Sequence, residues 1–173
     1  MDAVRELYER QPQLRFSVHT AIQATVIVEL GSEIRQLLDS GMAADQVDGS
    51  MINSVYGKFW LWVLGAYEVV RTMGQAKSCF TEEAAQRILA FKRRIATLRM
   101  PFAKQEFEGR GPIASEASVS GIDIPNRDLR FDVAGQTFGI RELLGGFESL
   151  IRELSLKDIL TDRRTREHRA PAS

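Results

Sequence analysis

"FWLWVLGAYEVV", residues 59–70, decides how the rest of the chain is read. Phe59, Trp60, Leu61, Trp62, Val63 and Leu64 leave no polar face for more than one turn, and a helix of that kind is surrounded by other helices. The run is too short to cross a bilayer and it contains Glu68, so the expected surroundings are protein rather than lipid. The helical pattern extends from Met51 to Met73 and includes Gly57 and Gly65. Each glycine costs about 1 kcal/mol relative to alanine in a helix interior. Close approach of a neighbouring helix is the expected compensation at both positions.

Upstream, "FSVHTAIQATVIVELGSEIRQLLDSG" (residues 16–41) places Val18, Ile22, Thr25, Val26, Leu30, Ile34, Leu37 and Leu38 at helical intervals, and Gly41 is a stop signal. The spacing predicts an amphipathic helix with those residues inward. Residues 2–10 form a shorter helix with Val4, Leu7 and Tyr8 on one side, ended by Pro12. "MAADQVDGS" (42–50) reads as a polar connector with Asp48 or Ser50 as N-cap.

Downstream, "GQAKSCF" interrupts the helix and Thr81 is the next N-cap, followed by Glu82 and Glu83 at the positive end of the helix dipole. Ala84, Ile88, Phe91, Ile95, Leu98 and Phe102 then alternate steps of four and three, the seam of two helices packed lengthwise. Pro101 removes an amide donor and pushes Met100 out of helical geometry, which predicts a kink or an end there. Beyond it the period becomes two. Ile122 and Ile124 share one face, as do Leu129, Phe131 and Val133, with turns at "PNRD" and at Ala134 and Gly135. A last amphipathic helix carries Ile140, Leu143, Leu144, Phe147, Leu150, Ile151 and Leu154, with Gly145 and Gly146 hinting at a close crossing.

The fold class expected is mainly α: an antiparallel helical bundle with a small antiparallel β-hairpin, about residues 117–138, inserted before the last long helix. Two or three strands are not stable alone, so the hairpin must lean on the helices. Its free edge is a candidate for pairing with a partner strand or with its twin in a dimer. A chain of 173 residues suits one domain, spanning residues 1–160 and followed by a basic tail, 161–173.

Charge and composition exclude several classes of function. Basic and acidic residues balance at 23 each, so no global field draws the chain to nucleic acid or anionic lipid, and such a partner must be met by a local patch. Cys79 is alone and the histidines are only His19 and His168, which leaves no zinc constellation and no internal disulfide. No cofactor-binding glycine loop or serine elbow is present, so no cofactor is expected. The first residues carry acids without an apolar core, unlike a signal peptide, and a cytoplasmic location with no membrane association is expected.

Three clusters bear chemistry. Glu68 and Arg71, three apart on the most apolar helix, form either a polar site inside the bundle or a self-satisfied buried polar pair at the edge of the core, with Tyr67 beside them as core. Around the proline-interrupted helix end, Lys92, Arg93, Arg94, Arg99 and Lys104 offer cations to an anion or to RNA, with Glu106 adding a carboxylate. The alternative is a solvated basic face. In the tail, Arg163, Arg164, Arg166 and Arg169 suit weak phosphate contacts but lack interleaved aromatics.

The long helices, "LGAYEVVRTM" and the helix ending in "RMPFAKQE" together resemble bacterial HEPN-type helical bundles over residues 15–106, leaving the hairpin and last helix as an extension. The resemblance implies a dimer whose two motifs face a shared cleft. It also implies, in active members, a metal-independent ribonuclease using an arginine and a histidine with four to six residues between them. Here the arginine is Arg99 and the histidine position holds Lys104, Gln105 or Glu106. Proton transfer near neutral pH suits imidazole and not an ordinary exposed carboxylate. The expected function is therefore a non-catalytic binding or assembly protein, a homodimer or partner of another protein, in a toxin, defence or regulatory setting. The alternative is a divergent ribonuclease acting through Arg99, Lys104 and Glu106.

Overall fold

A computed structural model describes residues 2–43, 46–104 and 119–163. Helices α1 (Asp2–Arg10), α2 (Gln13–Phe16), α3 (Val18–Gly41), α4 (Gly49–Gln75), α5 (Glu82–Lys104) and α6 (Ile140–Arg152) dominate the described residues. A short pairing of β1 (Met42–Ala43) with β2 (Gln46–Val47) replaces the expected polar connector between α3 and α4. Strands β3 (Gly121–Asp123), β4 (Asp128–Val133) and β5 (Gln136–Gly139) make an antiparallel meander before α6. The fold is thus mainly α with a small antiparallel sheet, as the periodicities require.

Local chemistry starts each long helix. Ser17 accepts the Thr20 amide at 3.3 Å, Asp48 accepts the Ser50 amide at 2.8 Å, and Thr81 accepts the Ala84 amide at 3.4 Å. Each side chain satisfies an amide that the first turn leaves without a helical partner. The start of α6 is different, because its N-cap is Gly139. There the carboxylate comes from the hairpin: Asp128 accepts the Arg141 amide at 3.2 Å and the Leu129 amide at 2.9 Å. A β-carbon at Gly139 would lie 2.7 Å from an Asp128 oxygen, so glycine is what lets the cap approach.

Helix directions follow from the contacts. Glu33 meets Lys58 while Ile27 meets Gly65, and Phe102 meets Trp60 while Arg99 meets Tyr67, so α4 runs antiparallel to both α3 and α5. Arg87 meets Glu153 and Arg94 meets Glu142, which sets α6 antiparallel to α5. The core is aromatic at its centre: the Phe59 ring stacks on Trp62 at 5.8 Å and approaches Phe131 of β4 at 5.3 Å, and Phe102 meets Phe131 at 5.6 Å. Phe131 is one contact by which the sheet leans on the bundle, as the short strands demand.

Four expectations are corrected. First, α3 turns a different face inward at its start: Thr20, Ala21, Ala24, Ile27 and Gly31 are buried, while Val18, Ile22 and Val26 are 53–58% exposed. Small residues win because neighbours come close. Trp62 and Leu144 atoms lie 3.3 and 3.4 Å from where a β-carbon at Gly31 would stand, a separation a row of larger side chains would forbid. Second, α4 is not enclosed all round, since Leu61 is 53% exposed and Trp60 38%.

Third, α5 continues through Pro101 to Lys104. Proline removes one helical hydrogen bond. The last turn is held instead by burial of Phe102 against Tyr56, Phe59 and Phe131, and by the Trp60 indole N–H donating to the Phe102 carbonyl at 2.8 Å. Fourth, only some glycines mark crossings. At Gly65 and Gly146 a β-carbon would stand 2.3 Å from Ile27 and 3.1 Å from Phe91, whereas Gly57 and Gly145 have open space.

Candidate functional site

The groove between α4 and α5 gathers much of the positive charge of α5. Successive residues on a helix are rotated by about 100°, so a run of cations is distributed among neighbours rather than presented as one patch. The structure sorts the five proposed anion contacts accordingly. Lys92 and Arg93 line a groove of about 690 Å³ with Tyr67, Gln86 and Leu89. Arg99 lies above the Tyr67 ring, 5.2 Å from its centre, with a guanidinium nitrogen 3.1 Å from the Met100 sulfur. Tyr67, expected as core, is half-buried and serves as the aromatic floor under that guanidinium.

Arg94 points elsewhere, toward α6, where it pairs with Glu142 at 2.5 Å. Lys104 is exposed at the C-terminal end of α5. Five positions separate it from Arg99, so the two leave the helix axis about 140° apart. Glu106 lies outside the described residues, as do Arg164, Arg166, Arg169 and His168, while Arg163 is described. Arg99 and Lys104 are therefore not brought to one point. His19 is exposed near the start of α3, on a different helix.

Glu68 and Arg71 do form a pair, 2.6 Å apart, but at the surface. Their side chains are 43% and 38% exposed, which corrects the expectation of a buried pair and leaves self-satisfaction as its chemistry. Glu68 beside Arg71 raises the arginine above its ordinary value. Among the described residues no group of three or more His, Cys, Asp or Glu is placed to hold a metal. What the α4–α5 groove supplies is fixed positive charge beside an aromatic ring, suited to gripping an anion or a planar group.

A second surface was hidden from sequence reasoning. Val18, Ile22 and Val26 recur every four residues, so they form one outward row on α3. Glu29 and Glu33, both exposed, continue that row, and Glu33 reaches across to Lys58 of α4 at 2.7 Å. On α4, Lys58, Leu61 and Gly65 share the side facing α3, because Gly65 is the position that Ile27 approaches. Leu61, on that side of α4, is likewise exposed. The signal that betrays the row is the small-residue set Ala21, Ala24 and Gly31, which marks the side of closest approach.

No described helix is long and apolar enough to cross a membrane. Set beside known proteins, the chain matches no family model, and no curated protein and no solved structure is significantly similar to it.

Proposed function

We propose that the protein is a non-catalytic binding and assembly protein, a cytoplasmic homo-oligomer of HEPN-like design serving a bacterial toxin, defence or regulatory system. The observation that carries this reading is the apolar row Val18, Ile22 and Val26 on α3, each residue more than half exposed. Single apolar residues on a surface are ordinary, whereas three at one helical interval on an outward face favour an interaction surface. The absence of an imidazole near Arg99 among the described residues is compatible with gripping rather than cutting. Light scattering at micromolar concentration tests it, together with capture of partners from the native cells. A dimer or larger is expected, and a strict monomer that captures nothing overturns the reading.

A second reading, a divergent metal-independent ribonuclease using Arg99, Lys104 and Glu106, draws support from the cations gathered with Tyr67 in the α4–α5 groove. Purified protein would then degrade RNA without metal. Arg99→Ala would abolish that activity while costing at most about 1 kcal/mol of stability, the worth of an exposed cation–π contact. Degradation unaffected by this change removes the ribonuclease reading.

A further inference from the structure

The cations of α5 divide into two groups. Arg87 meets Glu153 and Arg94 meets Glu142, both on α6. Lys92, Arg93 and Arg99 meet no carboxylate among the described residues. Lys92 and Arg93 line the α4–α5 groove, and Arg99 stands over Tyr67, which lines it too. The acids nearby are engaged or distant. Glu68 is held by Arg71 at 2.6 Å, and Glu82 and Glu83 stand in the first turn of α5, about 14 Å along the helix from Lys92, where Gln86 donates to Glu82. A chain of zero net charge thus carries a local positive surplus along this groove.

Two of these cations are set in place by packing. Lys92 and Arg99 are seven residues apart, so they leave α5 on the same side about 10 Å from one another. The Arg99 guanidinium rests on the Tyr67 ring, and the Lys92 stem runs past the buried Gly74, where a β-carbon would lie 3.5 Å from its Cδ. Tyr67 and Gly74 are themselves seven apart on α4, so two turns of one helix place two cations of the other. An exposed ion pair is worth little because long side chains must be ordered to make it. Cations already ordered by their neighbours lose less on pairing.

Between them, Leu89, Ala90 and Ala96 give the groove a small apolar floor. From Gln86 to Arg99 it runs about 20 Å, the length of a helix of about 14 residues. The furrow between two antiparallel helices is a standard seat for a third, and its edges choose the charge of the occupant. From these we infer that the α4–α5 groove seats an acidic amphipathic helix of a protein partner, its apolar side on Leu89, Ala90 and Ala96 and its carboxylates against Lys92, Arg93 and Arg99. The inference rests on the binding reading above and names the chemistry of the partner.

Fluorescence anisotropy of the full-length chain tests this surface. The probes are a set of labelled helical peptides of about 14 residues, with alanine and leucine on one side and glutamates spaced up to seven apart along its border, and the same set with lysine for glutamate. Glutamate peptides are expected to bind with Kd on the order of 10 μM, more weakly at high salt, and lysine peptides at least about 10-fold less well. Arg93→Glu and Arg99→Glu should each weaken the glutamate peptides at least about 10-fold, and Lys92→Glu/Arg93→Glu together should reverse the preference toward lysine. Lys157→Glu, exposed outside the groove, should change nothing. Arg93 is exposed, so Arg93→Glu keeps the wild-type circular dichroism spectrum and carries the test even where a change at Lys92 disturbs packing.

Glutamate peptides that fail to bind at about 1 mM, or that bind regardless of all three reversals, overturn the inference. Inorganic phosphate binding as tightly as the peptides would make this a small-anion site, and single-stranded RNA binding through Arg93 and Arg99 where the peptides do not would give the groove to RNA. Either result overturns it as well. The binding and assembly reading survives all of these outcomes. It falls only if the protein is also a strict monomer that captures no partner.

Discussion

Ile27 occupies the space that a side chain at Gly65 would need: its terminal carbon lies 2.3 Å from where that β-carbon would stand. Helices α3 and α4 touch at this point, and Ile27 is only 8% exposed, so it has little room to swing aside. Gly65→Ala is expected to cost about 1–2 kcal/mol net, because overpacking outweighs the gain in helix propensity. Gly57→Ala, eight residues earlier on the same helix with nothing within 4 Å, should gain about 0.5–1 kcal/mol. Denaturant melts of the two variants read opposite signs if this crossing is as described. Equal shifts would refute it.

Trp60 holds the end of α5 beyond Pro101 through its bond to the Phe102 carbonyl. Trp60→Phe keeps an aromatic ring and removes the donor, at an expected cost of about 1 kcal/mol. Amide exchange at Ala103 and Lys104 should accelerate more than exchange at the middle of α5. Protection unchanged at those two amides would show that Phe102 packing alone suffices.

Asp128, at the start of α6, and Asp158, in the capping box of the short 3-10 turn Leu156–Asp158 that follows α6, titrate with opposite sign. Burial pushes the Asp128 carboxyl above the ordinary aspartate range, opposed by the Arg141 and Leu129 amides. In the unfolded chain the group titrates near about 3.9. Between that value and its raised native pKa the folded protein holds more proton, so this group's contribution falls as pH rises through the window. Asp158, whose carboxylate accepts the Ser155 amide, is held below the ordinary range. Its contribution is present above about pH 3.9 and is lost as pH falls through the native pKa. Across a pH series of Tm values, Asp128→Asn should lose a relative stabilisation that wild type acquires on mild acidification toward pH ~4. Asp158→Asn should flatten the decline below it. Curves parallel to wild type for both variants would contradict the assignment.

The turn between β4 and β5 carries two residues in the left-handed region, Ala134 at φ 52° and Gly135 at φ 75°. Asparagine tolerates that conformation better than alanine and is favoured at the first central position of such turns. Ala134→Asn is expected to stabilise the protein by about 0.5 kcal/mol, read from the denaturation midpoint at constant slope. A loss of stability would mean that the alanine methyl has a contact of its own.

The starts of α4 and α5 were legible because caps act within one turn: Asp48 and Thr81 do locally what their residue types predict. The sheet was legible because the inward alternation of Leu129, Phe131 and Val133 is a backbone property. Persistence of α5 past Pro101 was not, since its support comes from α4 and β4, far away in sequence. Nor was the groove under Arg99, because which cations share a side depends on what packs against α5: Glu142 takes Arg94 one way and Tyr67 takes Arg99 the other.

By itself, then, the order of residues determined which repeat the long helices and the β4 strand obey and where α4 and α5 begin, because those choices depend on neighbours within a few positions. Only the tertiary structure decided which side of α3 is inside. Val18, Ile22 and Val26 recur at a helical interval, and Ala21, Ala24 and Gly31 form a helical face of their own, so periodicity serves either side. Burying more apolar area favours the first set, and close backbone approach favours the second. The edge of Trp62 against Gly31 and of Ile27 against Gly65 settles the contest for the small residues, and leaves the larger ones facing outward.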